Sequence, residues 1–270
     1  MININKLNEW SKFAEKTIRA AGKKVMELRR DSLIEMTYKK AGELVTSADL
    51  ASDQIIRDAI EKCYPEHRIL SEEKIIKEGE KGIFEGPLWI VDPLDGTVNY
   101  AKNLSHFAIS IAFAIDGIVW VGVVHSPELD ITFIGIRGQG AYRNGEKIMV
   151  NRLKTLSDAV IGTGFPHDKS QLKKALIRVN SLVTNCRDVR RFAAPTLDIC
   201  YVASGLLDGH TESLAPWDVA AAGLIASEAG AKIGHVGIAP ENIPLELYGE
   251  DIVYATPGIF EDLLTLLRKK

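Results

Sequence analysis

Two aspartates stand three residues apart in the stretch WIVDPLDGTVNY, residues 89–100, directly after an apolar run. Pro93 and Gly96 restrict the turn that holds Asp92 and Asp95, and like charges this close together repel each other. A plain turn, a metal site or an acid/base pair would each produce such a corner. Hard cations such as Mg²⁺ take carboxylate and carbonyl oxygens as ligands, so a metal site best explains the crowding.

The backbone of the same turn can contribute to chemistry. The Leu94 carbonyl is open to a cation, and the N–H groups of Gly96 and Thr97 can point at an anion, because glycine permits close approach. This set suits attack of water on a phosphate monoester, with one metal activating the water and another stabilising the leaving alkoxide. The sequence has no histidine and cysteine set at zinc spacing, which disfavours zinc.

Other acidic residues stand at predicted junctions of strands and helices. Glu72 and Glu73 follow a short strand in HRILSEE, Asp49 stands at the entrance to a helix, and Asp218 opens DVAAAGLIASEAG. Each has an ordinary alternative. Asp218 is a good helix N-cap, Asp49 favours the helix dipole from the first turn, and the two glutamates form a solvated pair.

The composition bounds the class of protein. The chain has 270 residues, 46% of them apolar and 26% charged, as in ordinary soluble enzymes. A net charge of −3 and a pI of about 6.1 argue against a nucleic-acid partner. Three widely spaced cysteines indicate a reducing compartment rather than a disulfide framework. Since no signal-peptide pattern or long apolar run occurs, we expect a cytoplasmic protein with no membrane partner.

The elements that must position these residues can be read from periodicity. Apolar residues over 7–28 recur at helical spacing, and a second helix is predicted from Ser47 as N-cap to a stop at Pro65. From residue 88 an antiparallel meander is expected, with hairpin turns at 116–117 and 144–145. Strands and helices then alternate. We predict one domain, 1–270, of mixed α/β layers (α+β), with halves 1–150 and 151–270.

Four segments that contain these acidic residues resemble the motifs of a known family. WIVDPLDGTVNY resembles the first signature of the inositol monophosphatase family, and PWDVAAAGLIASEAG resembles the second. LSEE and GELVTSAD are similar to its other acidic motifs and stand in the same order. The resemblance implies a five-layer α-β-α-β-α sandwich of the inositol monophosphatase and fructose-1,6-bisphosphatase type, a homodimer, two or three Mg²⁺ per site and lithium sensitivity.

The resemblance also implies a role for each matching residue. Thr97, paired with Asp49, would orient and deprotonate the attacking water, with Glu72 as a further catalytic residue. The N–H groups of Gly96 and Thr97 would hold the phosphate. Asp92 would bridge two cations, and Glu72 would bind the first and a weaker third. The implied metal ligands are Glu72, Asp92, the Leu94 carbonyl, Asp95 and Asp218.

The stretch 190–218 is similar to the family's contact region for the alcohol part of the substrate. Glu212 would accept hydrogen bonds from hydroxyl groups, and Ala194 and Arg191 would line the same wall. The family often has Gly-Ser or Gly-Ala where this chain has Ala-Ala-Pro at 193–195, and the loop 212–217 is one residue shorter than is common. Arg191 and its neighbour Arg190 either bind a second phosphate or form a solvated basic pair.

These observations predict a Mg²⁺-dependent phosphomonoesterase for a phosphorylated polyol or sugar, with inositol monophosphate first. The alternatives within the same chemistry are fructose 1,6-bisphosphatase, histidinol phosphatase and 3′-phosphoadenosine 5′-phosphate phosphatase. A non-enzymatic metal- or phosphate-binding regulator is the alternative from another class. Such a regulator would be expected to lack one or more of Asp92, Asp95, Thr97 and Asp218, and all four are present.

Overall fold

The computed structural model describes residues 2–31, 35–38, 44–74, 82–166 and 168–269, so Gly42 and Glu43 of GELVTSAD lie outside the described residues. None of the helices in these ranges combines the length and the apolar composition needed to cross a bilayer. The α-helices are α1 (Ile4–Arg30), α2 (Ser47–Cys63), α3 (Thr97–Ala101), α4 (Leu172–Asn185), α5 (Pro195–Ala203), α6 (Pro216–Glu228) and α7 (Phe260–Arg268).

The larger sheet holds the predicted meander. Its strands, which neighbour one another in chain order, are β3 (Arg68–Ser71), β4 (Pro87–Asp95), β5 (Ala108–Ile115), β6 (Ile118–Ser126), β7 (Ile131–Ile136), β8 (Gly140–Arg143) and β9 (Glu146–Ile148). All pair antiparallel except β3, which runs parallel to β4. The residues at 116–117 and 144–145 all have positive φ, as type I′ hairpin turns require.

The smaller sheet contains parallel and antiparallel pairs. Its strands are β10 (Val160–Thr163), β11 (Asp188–Arg190), β12 (Gly209–Glu212), β13 (Lys232–His235) and β14 (Ile252–Ala255), in the order β11-β10-β12-β14-β13. Strand β10 runs parallel to β11 and β12, whereas β14 is antiparallel to both of its neighbours. Two further short strands, β1 (Met36–Tyr38) and β2 (Leu44–Thr46), pair with each other.

Helices cover and separate the two sheets, which confirms the five-layer sandwich. Helices α1 and α2 pack on one face of the larger sheet, α5 and α6 lie between the sheets, and α4 and α7 contact the smaller one. Residues 219–226 of helix α6 are all buried, because the helix lies between the two sheets. It lies directly on the larger sheet, where a Cβ atom at Gly122 would stand 2.6 Å from the Ala221 carbonyl oxygen.

Two helix starts differ from the sequence prediction. The N-cap of α2 is Thr46 rather than Ser47, and its hydroxyl accepts a hydrogen bond from the Ala48 N–H. Helix α6 begins at Pro216, so Asp218 is its third residue and not its N-cap. Proline is favoured at the first helical position, where a missing N–H costs nothing, and the N-cap is therefore Ala215, three residues upstream of Asp218.

Candidate active site

The end of β4 forms the corner that the sequence indicated. The pairing of β4 with β5 shifts register between Asp92 and Asp95, and both carboxylates are buried. The Leu94 N–H donates to Asp92 Oδ1 over 3.0 Å, which fixes that side chain. Gly96 follows with φ +86°, and a Cβ there would stand 3.1 Å from the His106 carbonyl oxygen. Glycine at 96 thus meets both a conformational and a steric requirement.

Helix α6 brings a third carboxylate to this corner from the other half of the chain. The Ala215 N–H donates to Asp218 Oδ2 over 2.8 Å, so the helix start orients the side chain. Oxygens of Asp92, Asp95 and Asp218 all lie within 4.8 Å of one another. The structure therefore places together three of the predicted metal ligands, and the third is separated from the others by more than 100 residues.

Glu72 is brought to the same end of the sheet by strand pairing. Its N–H donates to the Val91 carbonyl over 3.2 Å, because β3 runs parallel to β4. Burial raises the pKa of Asp92 well above its ordinary range, and the charge of Glu72 is the next cause. Burial likewise raises the pKa of Asp218, with the charge of Asp95 next. The cluster thus concentrates negative charge away from water, which disfavours ionised carboxylates without a cation.

The predicted Asp49–Thr97 pair is also present. Asp49 Oδ2 accepts the Thr46 N–H over 2.8 Å and the Thr46 hydroxyl over 2.6 Å, which completes a capping box at the start of α2. Its other oxygen, Oδ1, accepts from the Thr97 hydroxyl over 2.9 Å. Burial raises the pKa of Asp49 to about 6. A carboxylate of this pKa can take a proton near neutral pH.

The Thr97 hydroxyl has two acceptors but only one proton. The Leu94 carbonyl lies 3.0 Å from Thr97 Oγ1, close to the distance of Asp49 Oδ1. When the hydroxyl donates to the Asp49 carboxylate, its lone pairs are open to accept a proton from a water or an alcohol. The pair can therefore move a proton from a nucleophile toward Asp49.

The loop before α5 packs against the turn at Gly96 and Thr97. The Asn99 side-chain nitrogen donates to the carbonyls of His106 and Phe192, over 2.6 Å each, and so ties α3 to this loop. Ala193 has φ +64°, an unfavourable backbone conformation for a residue other than glycine. Ala194 is fully buried, so its methyl group lies in the core rather than on an open wall.

The other predicted substrate residues lie on β12 and beside it. Glu212 ends β12, and its carboxylate fills the space where a Cβ at Gly164 would stand. Arg190 forms an ion pair with Asp188 over 2.6 Å, whereas the exposed Arg191 guanidinium lies 5.9 Å from the centre of the Phe165 ring. Of the two arginines, Arg190 is thus engaged with its own strand.

One residue at the site was missed by sequence reasoning. Thr196, in the first turn of α5, donates to Asp95 Oδ2 through both its N–H and its hydroxyl. The residues lie 101 positions apart, and no spacing rule connects them. A Pro-Thr pair at a helix start, with the threonine on the buried side, is the only local signal that was available.

The donor set fits Mg²⁺. Carboxylate oxygens from three side chains, with a backbone carbonyl in the same turn, are the hard ligands that this ion prefers. Burial raises the pKa of Asp95 to about 7, even though the bonds from Thr196 act in the opposite direction. A divalent cation would relieve the repulsion and favour the ionised forms.

This electrostatic arrangement predicts a pH-dependent stabilisation by Mg²⁺. Because the pKa values are raised in the folded state, that state binds more protons than the unfolded chain, and the metal-free free energy of unfolding falls as pH rises through about 4 to about 7. Mg²⁺ competes with those protons. At about 100 times its Kd it should raise Tm by about 5 °C at about pH 8 and by less at about pH 5. Differential scanning fluorimetry at constant ionic strength would measure these increases in Tm. Equal increases at the two pH values would contradict the prediction.

Comparison with known proteins places the chain among related sequences and structures. The model of the inositol monophosphatase family matches residues 6–265. A Pasteurella multocida (strain Pm70) protein named Nus factor SuhB is 40% identical over 204 residues, 75% of each chain. The inositol monophosphatase of Anabaena (Nostoc) sp. PCC 7120 superposes with a TM-score of 0.83 at 31% identity, covering 97% of this chain and 96% of that one. An IMPase/NADP phosphatase complexed with NADP and Ca²⁺ gives 0.83 at 25% identity, covering 98% and 97%.

Proposed function

Since the chain belongs to the inositol monophosphatase family, we propose that it is a Mg²⁺-dependent phosphoric monoester hydrolase acting on a phosphorylated polyol or sugar, first of all an inositol monophosphate. The observation that carries the proposal is the cluster of three carboxylates within 4.8 Å, two buried and one half-buried, supplied by both halves of the chain. We take residues 1–270 as one catalytic domain because α5 and α6 are shared between the two sheets.

In the proposed site, five groups would hold two or three Mg²⁺: the side chains of Glu72, Asp92, Asp95 and Asp218, and the Leu94 carbonyl. The cations supply positive charge that offsets the phosphate and makes a water easier to deprotonate. A relative with this fold is complexed with both NADP and Ca²⁺, which supports binding of a divalent cation and a phosphate ester by this fold. Inhibition by Li⁺ is part of the proposal.

The chain's own residues then carry out hydrolysis. The Thr97 hydroxyl accepts a proton from the attacking water as it passes its own to Asp49, and Glu72 is proposed to help orient that water. The water oxygen forms a bond to phosphorus, and the bond from phosphorus to the alcohol oxygen breaks. The alcohol oxygen takes a proton from a solvent water, and Asp49 returns its proton to solvent, which restores the site. The N–H groups of Gly96 and Thr97 hold the phosphate oxygens.

The alcohol part is proposed to contact Glu212 and Arg191, whereas the buried Ala194 supports this wall from the core side. Glu212 accepts hydrogen bonds from hydroxyl groups, whereas the start of α5 offers few donors. Pro195 has no N–H, and the Thr196 N–H is taken by Asp95. Recognition of a polyol therefore depends mainly on Glu212, and an acceptor there favours substrates with free hydroxyl groups.

A substrate panel tests the proposal. Phosphate release from inositol 1-phosphate, fructose 1,6-bisphosphate, histidinol phosphate and 3′-phosphoadenosine 5′-phosphate would be measured with Mg²⁺ and with excess chelator. We expect activity that disappears with chelator and is highest for the inositol ester. In the matched Glu212→Gln variant, KM for that ester should rise about tenfold with kcat little changed, since one charged hydrogen bond is weakened. Full activity with chelator would refute the metal mechanism.

Two alternatives for the substrate keep specific support. The exposed Arg191, which is not paired with Asp188 as Arg190 is, could bind a second phosphate of a sugar bisphosphate. The relative named IMPase/NADP phosphatase supports an adenosine phosphate. Arg191→Ala would lower the rate selectively for a bisphosphate if the first alternative holds.

A factor role is the second candidate function, because the Pasteurella multocida relative is named a Nus factor. It belongs to the same class as the non-enzymatic regulator considered from the sequence. A pure factor would release no phosphate from any ester in the panel. That the protein is cytoplasmic, that it forms a homodimer and that it has no nucleic-acid partner stay predictions. Light scattering would test the homodimer, and a mobility-shift assay with RNA would test the lack of a nucleic-acid partner.

A further inference from the structure

The first turn of α5 places a threonine against one carboxylate of the metal cluster. Thr196 is fully buried, and its N–H donates to Asp95 Oδ2 over 2.8 Å. Its hydroxyl donates to the same oxygen over 2.5 Å. One oxygen of Asp95 thus takes both donors of a residue that comes from the other half of the chain.

The other backbone N–H groups in the first turn of α5 do not bond to Asp95, so Thr196 is the residue of this turn that does. Pro195 has no N–H to give, and the N–H groups of Leu197 and Asp198 donate to the Ala194 carbonyl within the turn. The positive end of the α5 dipole adds a favourable field for the carboxylate. The Asp95 carboxylate therefore lies at the start of α5 in the way that bound anions lie at helix N-termini, and its Oδ2 already accepts two hydrogen bonds from the protein.

The two hydrogen bonds to Oδ2 determine which oxygen of Asp95 faces a cation. Charge-assisted hydrogen bonds from a rigid helix start restrict rotation of the Asp95 side chain. Oδ2 is occupied, and Oδ1 is the oxygen left for a cation. Without the hydroxyl, the carboxylate can rotate about its single remaining bond from Thr196 and present either oxygen or both.

We propose that Thr196 is a positioning residue that holds Asp95 as a one-oxygen ligand and thereby sets the Mg²⁺ affinity of the site. This inference rests on the proposed function only through the metal site and concerns binding rather than turnover. Hydrogen bonds to metal ligands typically change metal affinity 10–100-fold when they are removed. An effect of about that size is expected here because the bonds are buried and short.

Isothermal titration of the full chain with Mg²⁺ alone tests the inference. Thr196→Val replaces the hydroxyl with a methyl group of similar size and should weaken binding by about 10–100-fold. Thr196→Ser restores the hydroxyl and should stay within about threefold of the wild type. Serine keeps the hydroxyl but lacks the methyl group of threonine. Wild-type affinity in Thr196→Ser would therefore assign the effect to the hydroxyl and not to packing.

Thr256→Val is the matched control. Thr256 lies just beyond β14, and its buried hydroxyl donates to the Asn151 carbonyl and touches no proposed ligand. The Mg²⁺ affinity of this variant should equal that of the wild type. If Thr196→Val does not fold, as judged by circular dichroism, Thr196→Ala and Thr196→Ser provide the comparison.

The outcomes for this inference and for the proposed function can be told apart. Equal Mg²⁺ affinity in the wild type and in the folded valine or alanine variant overturns the role of Thr196, whatever the activity. A wild type that binds Mg²⁺ with the expected dependence on Thr196, yet releases no phosphate from any ester, overturns the proposed function alone. A wild type that does not bind Mg²⁺ overturns both.

Discussion

Replacing Asp92 with Asn is expected to lower kcat/KM for the preferred phosphate ester by about 1,000-fold or more. Asp92 is buried at the centre of the acidic cluster and is the proposed ligand of two cations. A neutral amide weakens binding of both, and losing several kcal/mol of charge stabilisation in the transition state corresponds to about three orders of magnitude. Initial rates over a range of Mg²⁺ concentrations would measure the loss.

The same substitution is expected to leave the fold intact. The side-chain oxygen of asparagine can still accept the hydrogen bond from the Leu94 N–H, and a buried charge among other acids is removed. The metal-free variant should therefore melt at or above the wild-type temperature, while its Tm should respond little to Mg²⁺. This combination distinguishes loss of a metal ligand from general destabilisation.

Asp116→Asn is a suitable control for the same chemical change. Asp116 lies in the hairpin turn between β5 and β6, where asparagine adopts the required positive φ readily. Its activity and its response to Mg²⁺ should match those of the wild type. If Asp92→Asn kept activity within about tenfold of the wild type, the bridging role of Asp92 would be refuted.

Replacing Asp49 with Asn is expected to lower kcat by about 100- to 10,000-fold, the usual contribution of a general base. Unlike Asp92→Asn, it should leave Mg²⁺ affinity nearly unchanged, because Asp49 bonds to Thr97 and Thr46 rather than to the carboxylate cluster. The amide also has one acceptor oxygen for three donors, so loss of the cap should cost about 1 kcal/mol of stability. Single-turnover rates at saturating Mg²⁺ would measure the catalytic effect.

The pH profile gives a second readout of the same pair. Since burial raises the pKa of Asp49 to about 6, its base form is lost as pH falls through that value, and bound cations would lower the midpoint further. We expect an acid limb at or below about pH 6 in the wild type and its weakening in the Asp49→Asn variant. An unchanged limb would assign the titration to another group.

Variants of Thr97 and an exposed aspartate complete the design. Thr97→Val removes the hydroxyl that links Asp49 to the nucleophile and should resemble Asp49→Asn, whereas Thr97→Ser should restore most of the rate. Asp58→Asn changes an exposed aspartate on the same helix, α2, and should have no effect on kcat. Activity of Thr97→Val near the wild-type level would exclude the proposed proton path.

The short-range features of this protein could be predicted from its sequence. The Asp92–Thr97 turn brings carboxylates, a carbonyl and a glycine together within six residues, and their proximity does not depend on the rest of the chain. Hairpin turns, helix periodicity and the stop after α2 are local in the same way. The helix starts were displaced by one residue at α2 and by three at α6 because Thr46 and Pro216 compete with their neighbours for the terminal positions.

Tertiary structure alone decided which distant groups share a site. Asp218 joins the Asp92–Asp95 corner because α6 lies between two sheets, and Thr97 meets Asp49 because α2 packs beside β4. The family resemblance anticipated those contacts, but neither it nor the spacing anticipated Thr196 on Asp95. That contact joins residues 101 positions apart through a buried helix start. Such contacts depend on how layers pack, and a local pattern of residue types does not encode that packing.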